Sequence, residues 1–141
     1  MTSTLEVAVG TKLPELSIKA DPTFVVSAAI ATRDFQDVHH DRDRAQEGGS
    51  KDIFANILTD TGLVQRFVTD WAGPRAVLKS IALRLGVPWY AYDILTISGT
   101  VASVDDDGII TLDIVGRNGL GNHITSTVTL VLNDQTNGAS A

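Results

Sequence analysis

The chain has 141 residues, no cysteine, and 17 acidic against 11 basic side chains, giving a formal charge of −6. That length predicts one domain with a core of useful size, the missing cysteines exclude disulfides and thiolate chemistry, and the acidic balance counts against a polyphosphate partner such as nucleic acid. No apolar run approaches the roughly 18 residues of a membrane helix, and no basic start precedes a long apolar stretch at the N-terminus, so no membrane association and a cytoplasmic location are expected.

In chain order, residues 1–20 read as a mixed lead-in, and "DPTF" at Asp21–Phe24 reads as a turn that launches a strand. The following "TFVVSAAIAT" is β-branched and apolar on both faces, the pattern of a strand covered on both sides. A charged stretch, "RDFQDVHHDRD" from Arg33 to Asp43, comes next, and the paired glycines of "QEGGSKD" mark a loop. From Ile53 the period changes. Ile53, Ile57, Thr61, Val64, Val68 and Trp71 recur at spacings of three and four, which predicts one long helix over 53–72. Asp52 is placed to cap its start, and Gly73–Pro74 to stop it. Gly62 inside that helix is predicted to mark a close approach of helix and sheet, since glycine there costs about 1 kcal/mol relative to alanine.

Four strands are predicted beyond the helix, in "AVLKSIALRLGV", "DILTISGTVASV", "GIITLDIVGRN" and "HITSTVTLVLN". "DDDG" at Asp105–Gly108 and "NGLGN" at Asn118–Asn122 supply hairpin turns. The three glycines of "GRNGLGN" lack the strand-to-helix context of a nucleotide loop and are read as a hairpin. One domain over 1–133 and a disordered tail over 134–141 are expected. Strand, long helix and antiparallel meander make a two-layer α+β domain whose sheet wraps the helix.

The charged stretch sets Asp34, Asp37, His39, His40 and Asp41 between two pieces of core. By itself such an acidic-basic loop reads first as solvated surface. The run "TRDFQDVHHDRDRA" resembles the hydratase motif of the MaoC-like branch of the hotdog fold: the acid is Asp34, the aliphatic residue Val38, the histidine His39, and Ala45 stands at a small-residue position. Arg33 stands where glycine is usual, Gln36 replaces asparagine and Asp37 replaces proline. Longer runs, "DPTFVVS", "SKDIFANILTDTGLVQRFVTDWAGP" and "LRLGVPWYAYD", are similar to the small subunit of the heteromeric MaoC-like enoyl-CoA hydratases of actinobacterial steroid side-chain degradation.

The resemblance implies hydration of a steroid enoyl-CoA, in partnership with a larger MaoC-like subunit. Such chemistry needs a base for the water and an acid for the α-carbon, and donors for the enolate oxygen. By resemblance, Asp34 and His39 hold and activate the water, and the backbone N–H groups of Ala55 or Asn56, at the start of the central helix, serve the oxyanion. Trp89 and Tyr90, with Tyr92 nearby, are core or interface residues, or a flat wall for the ring system. No metal and no cofactor are expected, CoA being part of the substrate; Asp37, His39 and Asp41 would face one way in an extended chain, but with no cysteine and no further clustered histidine they are not read as a metal site. His40 to Asp43 are read as a solvated short helix, and His123 as a surface residue. Arg75, Lys79 and Arg84 are candidates to meet CoA phosphates, equally readable as solvated bases. A homodimer remains open for the isolated chain. Two other readings stand beside the hydratase: a hotdog thioesterase using Asp60 of the central helix, and a non-catalytic partner subunit.

Overall fold

The computed structural model describes residue 5 and residues 7–133. The expected tail over 134–141 lies outside the described residues. Five strands form one antiparallel sheet: β1 (Lys12–Lys19), β2 (Ala76–Leu85), β3 (Ile94–Val104), β4 (Ile110–Asn118) and β5 (Gly121–Leu132). Three helices accompany it, α1 (Pro22–Ala31), α2 (Arg42–Glu47) and α3 (Ile57–Ala72). The α+β hotdog arrangement expected from the sequence is present, with α3 against the sheet.

The face of α3 that carries Thr59, Asp60, Leu63, Val64, Phe67, Val68 and Ala72 is buried. It meets the inward residues of the sheet, among them Leu95, Ile97, Leu112, Ile124 and Val128, each fully buried. Alternation along β3 buries Leu95, Ile97, Gly99 and Val101 in turn, which is the period-two signal of a half-buried strand. Closest approach of helix and sheet falls at Gly99, where a Cβ would lie 2.9 Å from Phe67 Cε1. Gly62, expected to mark that approach, is instead exposed, and a Cβ there would meet nothing within 4 Å. Helix and sheet meet where the strand, rather than the helix, gives up its side chain.

Four sequence expectations are corrected. The apolar run after Asp21 is a helix, not a strand. Asp21 Oδ1 accepts the Phe24 N–H at 2.8 Å, and Pro22 occupies the first turn, where a missing N–H removes no helical bond. A run apolar on every side carries no period, so only the Asp-Pro start distinguished the two. Residues 12–19 form edge strand β1, paired with β3 through Ser17↔Thr96 and Ile18↔Leu95; Pro14 is compatible with that edge position.

Helix α3 starts at Ile57 rather than Ile53, and its cap is Asn56 rather than Asp52. Asp52 instead accepts the N–H of its neighbour Ile53 at 2.7 Å and lies 3.6 Å from Arg42 Nε. Residues 53–55 are held extended by the β2–β3 connection: the Ala55 N–H donates to Trp89 O and the Ala91 N–H to Ile53 O, each at 3.0 Å. At its other end, Gly73 adopts φ 76° and donates its N–H to Thr69 O at 2.9 Å, the expected stop. Finally, only β3, β4 and β5 form the meander, because β2 pairs with β5, as in Ile81↔Val128. Among the described residues no helix is long and apolar enough to cross a membrane.

Candidate active site

Asp34 owes its position to the end of α1. Thr32 closes the helix with its hydroxyl on Ala28 O at 2.8 Å, Arg33 turns into the left-handed region at φ 58°, and the Asp34 N–H returns to Ala29 O at 2.9 Å. A left-handed backbone costs a non-glycine residue roughly 1–2 kcal/mol. That is the physical content of the glycine usual at this place, and Arg33 retains the turn without it. A single 3₁₀ turn, Asp37–His39, then carries His39 inward until it is 6% exposed.

His39 Nδ1 lies 2.7 Å from Phe54 O. A carbonyl only accepts, so Nδ1 carries the proton, and in the neutral ring Nε2 presents its lone pair. Nε2 faces Asp34 Oδ2 at 3.4 Å. Two acceptors at that separation do not bond each other directly, but one water can donate an O–H to each. The Phe54 ring also meets the imidazole edge-on, with centroids 4.9 Å apart.

Asn56 completes the group. Its Nδ2 donates to Asp34 Oδ2 at 3.1 Å and to Thr32 Oγ1 at 2.9 Å. Its Oδ1 accepts the Thr59 N–H at 3.2 Å and the Thr59 hydroxyl. One side chain therefore caps α3 and aims the Asp34 carboxylate. From the sequence Asn56 is expected to act only through its backbone; an Asn three residues ahead of Thr59 at a helix start is the signal for its side chain.

Of the two backbone donors considered, Ala55 is already committed to Trp89 O, because residues 53–55 pair with the connection instead of entering the helix. The Asn56 N–H has no hydrogen-bond partner among the described residues and sits at the positive end of α3. Trp89 is corrected as well. Its ring is fully buried, donates from Nε1 to Asp93 O at 3.1 Å and packs on Phe24, so it offers no face to a ligand. Tyr90 is half-buried and touches the Phe54 ring edge-on at 6.1 Å, while Tyr92 is exposed.

The rest of the charged stretch points elsewhere. His40 Nε2 lies 3.0 Å from Phe35 O, Asp37 Oδ2 takes Arg44 Nη1 at 3.3 Å, and Asp41 caps α2 through the Arg44 N–H at 3.1 Å. Asp37, His39 and Asp41 thus do not converge. Arg75, Lys79 and Arg84 are exposed on and just ahead of β2.

His123, expected at the surface, is 2% exposed, and Asp60, considered as a hydrolytic acid, is fully buried. His123 Nε2 lies 3.0 Å from Asp60 Oδ2, off the ideal hydrogen-bond direction, and Nδ1 lies 2.6 Å from Val87 O. Burial alone would lower the imidazole pKa; the hydrogen-bonding and charge of Asp60, with the Val87 carbonyl, outweigh it and hold the pKa above its ordinary value. A bulge carries the reason for this burial: the β4–β5 register passes from Gly116↔Ile124 to Arg117↔Asn122, so His123 is the extra residue that breaks the alternation and is buried next to Ile124.

Comparison with family models yields no match. The chain is 69% identical over 126 residues to the 3-oxo-4,17-pregnadiene-20-carboxyl-CoA hydratase beta subunit of Mycobacterium tuberculosis, spanning 89% of this chain and 97% of that protein. Among solved structures, a chain of the ChsH1–ChsH2 complex of Mycobacterium tuberculosis superposes with a TM-score of 0.88 at 67% identity, covering 91% of this chain and 100% of that one. An (R)-hydratase of A. caviae involved in PHA biosynthesis shares the fold at a TM-score of 0.84 and 20% identity, over 92% of this chain and 100% of that one. The chain belongs to the MaoC-like hotdog hydratases, in the family of that steroid side-chain hydratase beta subunit.

Proposed function

We propose that this chain is the subunit that carries the Asp34–His39 dyad of an enoyl-CoA hydratase, a hydro-lyase that adds water to the α,β-double bond of a steroid side-chain acyl-CoA. The observation that carries the reading is the 3.4 Å pairing of Asp34 Oδ2 with His39 Nε2, with Nδ1 pinned on Phe54 O so that the lone pair faces the acid. Water held by both groups gives up one proton to the dyad as its oxygen bonds to the β-carbon. The electron pair of the double bond moves toward the thioester carbonyl, whose oxygen takes the Asn56 N–H at the positive end of α3. The proton held by the dyad then passes to the α-carbon, and no atom remains on the protein. No cofactor enters this scheme, and the reading places the protein in the cytoplasm.

The relative from Mycobacterium tuberculosis is named as a beta subunit, and the similar solved chain belongs to a two-component complex. We assign this chain a larger MaoC-like partner on the same pattern. Phe35, Ile57 and Leu58, beside the dyad and the first turn of α3, are exposed apolar side chains, the surface a partner or an apolar substrate covers. A rigid four-ring steroid needs more buried surface than one groove supplies, at roughly 25 cal/mol per Å². The test is to copurify the chain with candidate larger subunits and follow loss of enoyl absorbance. High activity is expected only on mixing, with weak activity expected from the chain alone; release of free thiol without hydration would replace this reading with the thioesterase one.

A further inference from the structure

The Asp60–His123 pair lies outside the dyad and has no part in the steps above, yet its contacts lead to it. His123 Nδ1 holds Val87 O at 2.6 Å, and two residues on, Trp89 O accepts the Ala55 N–H. Ala91 then donates to Ile53 O, and Tyr90 bridges Phe54, the residue whose carbonyl takes His39 Nδ1. At the other end, Asp60 stands in the first turn of α3, and its N–H donates to Asn56 O at 3.2 Å. The pair thus ties the connection that carries residues 53–55 to the helix that begins at Asn56. Both His123 nitrogens face oxygen acceptors, Val87 O at 2.6 Å and Asp60 Oδ2 at 3.0 Å, so the protonated ring is the form that can serve both. Asp60 is the charged group set against it, and the Trp89 ring, with its centroid 6.0 Å away, closes the same side.

We propose that Asp60 and His123 are positioning residues of the hydratase site. By clamping the β2–β3 connection to α3, they fix the direction of Phe54 O, and with it the His39 tautomer, and the direction of the Asn56 N–H. The inference rests on the reading of Asp34 and His39 as the dyad. A mere core filler and a clamp differ in what an apolar replacement does. Exchanging a buried ion pair for apolar side chains of similar volume is often neutral for stability, but it leaves Val87 O without its donor and the two elements untied.

The test compares Asp60→Ala/His123→Leu, which is close to volume-conserving, with Asp60→Asn/His123→Gln, which keeps a neutral hydrogen-bonded bridge. Each is assayed in complex with the larger subunit, with Asp34→Asn as control. The apolar pair is expected to keep its melting temperature and KM and lose at least about 10-fold in kcat, and the amide pair to recover most of that loss. An apolar variant within twofold of the wild-type kcat overturns the proposal. A second readout uses the wild type alone, so it holds even where the apolar variant fails to fold: amide exchange protection of Ala55 and Ala91, followed as pH rises through the His123 titration. Protection at these two amides should fall ahead of that at Val128, and protection falling equally at all three overturns the clamp. An Asp34→Asn enzyme with full activity would sink the dyad reading instead, leaving the exchange result to judge the clamp by itself.

Discussion

Asn56→Ser separates two duties of one side chain. Serine caps a helix about as well as asparagine, so the Thr59 N–H keeps an acceptor. It cannot replace Nδ2, which reaches Asp34 Oδ2 at 3.1 Å and Thr32 Oγ1 at 2.9 Å. A hydrogen bond to a charged group is worth about 1.5–3 kcal/mol; the Asp34 side chain is 23% exposed, which places this one toward the lower end. About 1.4 kcal/mol corresponds to a tenfold change in rate. The serine variant, assayed with its partner, should therefore lose about tenfold in kcat as the carboxylate loses its aim. Asn56→Ala should lose the same activity and, without a cap, a further ~1 kcal/mol of stability, which lowers the melting temperature by roughly 3 °C more in a chain of this size. A serine variant with wild-type kcat would refute the reasoning, because the carboxylate would then be aimed by something else.

Asp34→Asn and His39→Ala should each leave the fold intact and reduce hydration by at least about 100-fold, and the double variant should fall well short of the product, since both groups act on one water; fully multiplicative kinetics would deny them a shared role. His40→Ala should matter far less than His39→Ala, because His40 is turned onto Phe35 O and away from Asp34; reversed severity would move the dyad by one residue. Arg33→Gly should raise stability by about 0.5–1 kcal/mol, the relief of the left-handed backbone at φ 58° less the added freedom of the unfolded chain, and an unchanged urea midpoint would show that the turn carries no strain. The His123 pKa is raised on folding, so the pair's contribution is complete below the unfolded value of about 6.5 and is lost as pH rises through the folded value. Urea unfolding across that window should show the loss in the wild type and its absence in Asp60→Asn/His123→Gln.

Sequence alone determined the elements whose period is strong and local. Most of the long helix α3 and strands β2 to β5 were legible from apolar spacing, and the juxtaposition of Asp34 and His39, 3.4 Å apart in the fold, from resemblance to the hydratase motif. The α1 run was not, because a stretch apolar on all sides suits a buried strand or a helix equally, and its Asp21–Pro22 start was the one local signal. Tertiary structure decided the rest, and for a common reason: a backbone or charged group bonds to whatever partner the fold delivers. Residues 53–55 left the helix because Trp89 O and the Ala91 N–H, over thirty residues away in sequence, were there to pair with them. Asn56 became an aimer of Asp34 because the turn at Arg33 brings that carboxylate within 3.1 Å. His123 and Asp60 lie 63 residues apart by number, and neither one's composition or spacing foretells the other; an isolated charge would have stayed in water, and only the fold that joins α3 to β5 allows both to be buried.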